Sequence, residues 1–205
     1  MGLPKCLIEV EGKTILSRLI ESLEPHVPRI HVVIGYREEL VAEYCARHHR
    51  EVVLVRNPRF RDTNTAYSIS LGSIGFHSKV LYLDGDLIIE KESLAEFLRA
   101  AAGVRALIGV TPAKSENAVL ASISGQSPED IAINAFGREL QSRYEWANVF
   151  SGPPVRLEDA GGFVYQALEP LLPLPARLLE LHEVDTPGDL SAAEAFMKGL
   201  ARSDA

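Results

Sequence analysis

The chain predicts an α/β fold: a mainly parallel sheet with helices on both faces, followed by a mixed, β-rich segment. Three observations carry this. Short apolar or β-branched runs at Ile30–Ile34, Val52–Val55, Val80–Leu83 and Ala106–Val110 have the length and composition of buried strands. Stretches of helical periodicity separate them, with short connections, as crossovers between parallel strands require. Beyond Pro112 this alternation stops, and Ala118–Ile123, Ile131–Phe136 and Glu139–Phe150 read as strands or mixed structure.

Taken in order, Leu3–Ile8 is extended at best, because a residue before proline avoids the α region. Glu11-Gly12-Lys13 is a turn. Thr14 caps a helix in which Ile15, Leu16, Leu19, Ile20 and Leu23 recur at helical spacing, and Pro25 and Pro28 end it. Glu38–His49 is an amphipathic helix with Leu40, Val41, Tyr44 and Cys45 facing inward. Arg56–Thr65, with its Asn57-Pro58, is a loop, and Ala66–Ile74 has helical composition. After the strand at Val80, Glu92–Ala102 places Leu94, Phe97 and Leu98 on one helix face. Leu157–Leu172 reads as helical until Pro173 and Pro175 interrupt it. Leu179–Val184 is a short strand ending at Asp185, and a last helix opens at Pro187, a residue suited to the first turn.

The composition narrows the functional classes. At 205 residues the chain can bury one sizeable core, so residues 1–205 are expected as a single domain, with about 112–156 as an insertion. A net charge of −7 argues against a nucleic-acid-binding surface, though not against small phosphorylated ligands. No apolar run approaches the roughly 20 residues of a membrane helix. Cys6 and Cys45 lack metal-ligand spacing, so a cytoplasmic location is expected. His48 and His49 are adjacent on a helix and make poor co-ligands.

Several groups of residues could carry chemistry. Asp84-Gly85-Asp86 closes the Val80–Leu83 strand with two carboxylates, and Asp185 closes the late strand. In open α/β sheets ligands gather outside the carboxyl ends of strands. Carboxylates from two strand ends suit Mg²⁺ bridging to phosphates; a solvated turn and a helix cap are the plainer readings. Lys5 could neutralise phosphate charge or be a surface lysine. Thr63–Ser68 is a polar loop-to-helix junction whose free N–H groups suit an anion or a base edge, or a simple capping box. Tyr144-Glu145-Trp146 joins aromatic faces to a carboxylate, a combination that holds cationic groups, unless Trp146 is core packing.

The order of these pieces resembles a family. Leu3-Pro4-Lys5-Cys6-Leu7-Ile8-Glu9-Val10-Glu11-Gly12-Lys13-Thr14-Ile15-Leu16 is similar to the P-K-x-L-x-x-V-x-G-K-x-x-L signature of the sugar-nucleotidyltransferase superfamily, of MobA-like NTP transferase type. Val33-Ile34-Gly35-Tyr36 resembles its second strand and turn. Asn57-Pro58 followed by Asn64-Thr65-Ala66-Tyr67-Ser68 resembles a segment of its bacterial phosphocholine and inositol-phosphate cytidylyltransferase branch. Asp84-Gly85-Asp86 and Glu183-Val184-Asp185-Thr186-Pro187-Gly188-Asp189-Leu190 match its two metal-binding places in order and spacing.

The resemblance implies a Rossmann-like fold of nucleotide-diphospho-sugar transferase type, in which the segment after Pro112 serves the acceptor side. It implies transfer of CMP from CTP to a small phosphorylated alcohol such as phosphocholine, with release of pyrophosphate. Lys5 would contact phosphate; Asp86 and Asp185 would hold Mg²⁺, supported by Asp84. Asn64, Thr65, Ala66 and Ser68, with Lys5 and Asp84, would bind the nucleotide; Tyr144, Glu145 and Trp146 would bind the acceptor. The implied partners are thus CTP and the acceptor, with neither nucleic acid nor membrane, and a homodimer is allowed. The family's Gly-rich phosphate loop normally precedes the Pro-Lys segment, so it is expected ahead of Met1 in a longer natural chain. A nucleotide-sugar-dependent glycosyltransferase, or a nucleotide-binding module impaired by lack of that loop, are the alternatives.

Overall fold

In the computed structural model residues 2–114, 118–125, 127, 130–155 and 162–203 are described. Turn and cap residues mark off its elements. In chain order these are β1 (Glu9–Val10), β2 (Lys13–Thr14), α1 (Ile15–Leu23), β3 (His31–Ile34), α2 (Glu38–His48) and β4 (Val53–Arg56). Then come α3 (Thr65–Gly72), β5 (Val80–Leu83), β6 (Leu87–Ile89), α4 (Lys91–Ala102), β7 (Leu107–Pro112), β8 (Leu120–Ser124) and β9 (Ile131–Gly137). The last are β10 (Tyr144–Gly152), α5 (Val164–Leu168), β11 (Leu174–Leu178), β12 (Leu181–Glu183) and α6 (Pro187–Ser203). They gather into two compact units: Met1–Pro58 with Asp84–Lys91 and Leu181–Ala205, and Arg59–Leu83 with Glu92–Glu180.

In the first unit, Glu11 and Gly12 take φ of 51° and 72°, and the chain reverses between β1 and β2. Two successive positive φ values match a two-residue hairpin turn, and glycine meets the second at no steric cost. The Thr14 side chain then accepts a hydrogen bond from Ser17 N at 3.1 Å, capping α1 as its sequence position predicts. The apolar residues of α1 serve two cores. Leu16 and Ile20 pack with Leu7, Ile34, Val41 and Cys45; Ile15 and Leu19 pack with Val10, Ile88, Val184 and Ala193. Burying both stripes excludes water along most of the helix, at roughly 1.5–3 kcal/mol for each large side chain. β3 and β4 run parallel, and β6 and β12 antiparallel with Leu87 opposite Glu183. Leu3–Ile8 departs from the extended expectation. Lys5–Leu7 forms a 3₁₀ turn, with Leu7 N donating to Pro4 O and Ile8 N to Lys5 O, both at 2.9 Å. Proline constrains the residue before it, not the turn that follows.

In the second unit the strands are ordered β5-β10-β7-β11-β9-β8, and a further β10–β8 pairing closes a circuit of five strands. Residues from all five enter one cluster that includes Ile108, Val110, Ala121, Ile133, Phe136, Phe150 and Ala176. The α/β class and the β-rich segment after Pro112 are as expected, but the large sheet is mixed. Only β7–β11 is parallel within it, because the long β10 inserts antiparallel between β5 and β7. Its partners lie 66–72 residues away in β5 and 32–44 away in β7, so local periodicity carries no sign of the pairing.

Two element readings need correction. Pro173 and Pro175 do not merely interrupt: Leu174–Leu178 is a strand, and its ladder with β7 starts only at Ala176, past the missing proline N–H. The helix expected over Leu157–Leu172 is α5 at Val164–Leu168 followed by a 3₁₀ turn at Glu169–Leu171, while 156–161 lie outside the described residues.

Candidate active site

Asp84, Asp86, Glu183, Asp185 and Lys5 all belong to the first unit, and the β6–β12 pairing brings four of them into register. With Leu87 opposite Glu183, Val184 N donates to Asp86 O at 3.0 Å, so the acidic turn and the late strand end side by side. Carboxylate oxygens of Asp84, Asp86 and Glu183 lie within 4.8 Å of one another. The Lys5 ammonium, raised on its 3₁₀ turn, donates to Asp86 Oδ2 at 3.4 Å and to Asp185 Oδ1.

The electrostatics of this cluster are costly by themselves. Burial, then the charges of Asp86 and Glu183, push the Asp84 carboxyl up to about 7. Burial also raises Asp86, and Lys5 offsets part of that shift while Asp185 adds to it. Partial burial pulls the Lys5 ammonium down, but its bond to Asp185 and the charges of Asp86 and Asp185 outweigh this and leave it raised. Convergent carboxylates perturbed in this way are a functional-site signature. Three oxygen donors in such a group fit a hard divalent cation, whose charge would relieve the repulsion. Asp84, Asp86 and Glu183 therefore fit a divalent cation, with Asp185 beside them on the Lys5 side.

The loop that presents Asp185 is itself organised. One Asp189 carboxylate oxygen accepts from Asp185 N at 3.0 Å, Thr186 N at 2.7 Å and Thr186 Oγ1 at 3.0 Å. The bonds from Thr186 lead in holding its carboxyl below the usual range. Sequence reasoning passed over Glu183 and Asp189 as individual site residues. Glu183 stands two positions before Asp185, the period at which strand residues share a face, and that was the available signal. Gly85 is less constrained than a tight turn suggests: its φ is not left-handed, and an added Cβ would meet Cys6 Cβ at an ordinary 3.7 Å.

The remaining predicted residues lie in the second unit. Asn64 caps α3, accepting from Tyr67 N at 3.4 Å, and its amide donates to Gly162 O at 2.7 Å. Thr65 is exposed, Ser68 half-buried, and Ala66 is buried in the core of the second unit. On β10, Tyr144 and Trp146 pack half-buried against that core, the Trp146 ring 6.3 Å from Phe136 and its Nε1 donating to Val149 O at 3.3 Å. Glu145 alternates to the opposite face, where it is buried and accepts from Lys114 N at 3.1 Å. The aromatic rings and the carboxylate thus sit on two faces of the strand. Among the described residues no helix is long and apolar enough to cross a membrane.

Known proteins resemble this chain in sequence and in fold. Residues 1–180 match the family described as the MobA-like NTP transferase domain. The bifunctional protein GlmU of Methanococcus vannielii is 28% identical over 182 residues, covering 87% of this chain and 41% of that protein, so the chain spans less than half the length of this relative. Among solved structures, HddC from Yersinia pseudotuberculosis superposes with a TM-score of 0.74 at 15% identity, covering 96% of this chain and 91% of that one. The inositol-1-phosphate CTP transferase from T. maritima does so with 0.72 at 18%, covering 97% and 87%. Likeness at such identities speaks for the fold, and it agrees with the family match over most of the sequence. On that match, and with the Pro-Lys segment and both acidic strand ends inside or adjoining it, this chain belongs to the MobA-like NTP transferase family.

Proposed function

We propose that the chain is a Mg²⁺-dependent nucleotidyltransferase that moves CMP from CTP to a small phosphorylated alcohol such as phosphocholine. The observation that carries this is the convergence of Asp84, Asp86 and Glu183, with Lys5 bridging Asp86 and Asp185. The choice of CTP and a phosphorylated alcohol rests on the resemblance of Asn57-Pro58 and Asn64-Thr65-Ala66-Tyr67-Ser68 to a segment of the cytidylyltransferase branch. An acceptor phosphate oxygen attacks the α-phosphorus, the bond to the bridging β-phosphate oxygen breaks, and pyrophosphate leaves. Charge balances with no proton transferred, so no general base is needed.

The residues have correspondingly simple tasks. Lys5 donates to phosphate oxygens and offsets charge on the leaving pyrophosphate. Asp86 and Asp185, with Asp84 and Glu183, would hold Mg²⁺, which when bound withdraws charge from triphosphate oxygens. Asp189 fixes the loop carrying Asp185. Asn64, Thr65 and Ser68 hold base and ribose at the start of α3, and Asn64 orders that turn; Ala66, expected with them, packs into the core beneath. Tyr144 and Trp146 offer ring faces to the acceptor, and Glu145 secures the strand that presents them. Alignment of the two substrates supplies much of the acceleration.

The test is pyrophosphate release from CTP and Mg²⁺ with phosphocholine or inositol 1-phosphate. Acceptor-dependent release is expected, and Asp86→Ala should lower it by at least about 10²-fold while the circular dichroism spectrum is retained. Release with a sugar 1-phosphate and another nucleoside triphosphate, but never with CTP, would overturn the substrate assignment. Transfer from a nucleotide sugar would instead indicate a glycosyltransferase.

A further inference from the structure

The Lys5 ammonium touches the same carboxylates that the proposed function gives to the metal. It lies 3.4 Å from Asp86 Oδ2 and bonds Asp185 Oδ1, so one tethered cation engages both strand ends. The pair is a poor structural staple. The side chains of Lys5 and Asp185 are 47% and 52% exposed, and ion pairs in such surroundings add little to folding stability. Lys5 also has a flexible four-carbon stem with three rotatable donors, mounted on a short 3₁₀ turn. It can leave the carboxylates for a phosphate without disturbing the cores beneath.

We propose that Lys5 is a tethered counter-ion that couples metal binding to nucleotide binding. Its ammonium occupies Asp86 and Asp185 and opposes a second cation there. A triphosphate, carrying more negative charge than either carboxylate, draws the ammonium away and frees both acids. The divalent cation then binds tightly only together with the nucleotide. This ordering keeps the acidic cluster from holding free metal ions, and it delivers Lys5 to the phosphates at the moment the metal needs its ligands. The proposal rests on the metal reading given above and adds to it the order of events.

The experiment titrates Mn²⁺ into nucleotide-free protein at low salt, reading free Mn²⁺ by its electron paramagnetic resonance signal. Removing one cation that shares a carboxylate with the metal should tighten binding on the order of tenfold near a solvated surface. Lys5→Met is therefore expected to bind Mn²⁺ about tenfold more tightly than the wild type, and Lys5→Arg, which keeps the charge, to stay near it. A non-hydrolysable CTP analogue should tighten Mn²⁺ binding in the wild type and do so much less in Lys5→Met. Thermal melts of both variants check that the fold is retained. Equal or weaker Mn²⁺ binding by Lys5→Met, with binding lost in Asp86→Asn, would overturn the coupling and leave the metal site standing. Undiminished binding in Asp86→Asn would remove both.

Discussion

The two units spend their buried polar groups differently. In the second unit, charge is kept apart from the core: the buried Glu145 finds the backbone N–H of Lys114, and the five-strand circuit closes on aliphatic and aromatic side chains. In the first unit, four carboxylates and one lysine converge, and burial holds Asp84 at about 7 against its own charge. A group placed for stability is paired; the groups at β6 and β12 are placed where they repel. The difference is consistent with the proposed metal and phosphate chemistry in the first unit, while the core of the second is closed by apolar side chains.

That contrast is open to direct attack. The largest effect is expected from Phe150→Ala, since Phe150 is 1% exposed and stacked on Tyr82 at 5.7 Å. It should cost about 3–5 kcal/mol in chemical denaturation. Asp86→Ala, which relieves repulsion, should leave the denaturation midpoint unchanged or raised. If Asp86→Ala destabilised as much as Phe150→Ala, the acidic cluster would be structural.

A smaller, pH-dependent effect tests a buried polar network of the first unit that does not repel. Ser17 bonds His49 Nε2 at 2.6 Å and Tyr44 at 2.8 Å, and Thr14 donates to Tyr44 at 2.9 Å. Burial leads in lowering the His49 pKa; Glu24 and Glu21 resist, while His48 and Lys13 add to the fall. The folded state therefore binds the proton less readily than the unfolded chain. Its stability is full above the ordinary value of 6.5 and is lost progressively as pH drops below it. Melting temperatures between pH 7.5 and 5 should show this fall, and His49→Gln should flatten it; an equal slope in the variant would put the sensitivity elsewhere. The smallest effect is expected at Gly85. Its φ is ordinary and an added methyl meets only Cys6, so Gly85→Ala should shift stability by less than about 0.5 kcal/mol. A larger loss would show that the acidic turn needs glycine after all.

Much of this was legible beforehand, for reasons that differ by element. The cap at Thr14, the apolar spacing of α1 and the turn at Glu11-Gly12 are local, and each formed where the residues indicate. The strand at Leu174–Leu178 was hidden because its prolines suggest a break, and only the position of the β7 ladder tolerates them. The insertion of β10 was hidden for a different reason: its partners β5 and β7 are far away in sequence, and period-2 alternation says nothing about neighbours. At the site, Lys5, Asp84, Asp86 and Asp185 were individually readable as candidates. Glu183 was not, since an acid at a strand end is ordinary until another strand brings two more beside it.

By itself, then, the sequence determined the helices other than the one expected over Leu157–Leu172, the cap at Thr14, most of the strands, the family signature and the two acidic strand ends. These depend on residue type and short-range spacing, which act through local sterics and periodic burial. Tertiary structure alone decided that the large sheet is mixed and closes on itself, that Glu145 turns away from its aromatic neighbours, and that Glu183 joins Asp84 and Asp86. It alone set the Lys5 ammonium between Asp86 and Asp185, across separations of 81 and 180 residues. Contacts at that range arise only when elements distant in sequence pack together, and the strength of a charge depends on which other charges and how much water that packing leaves beside it.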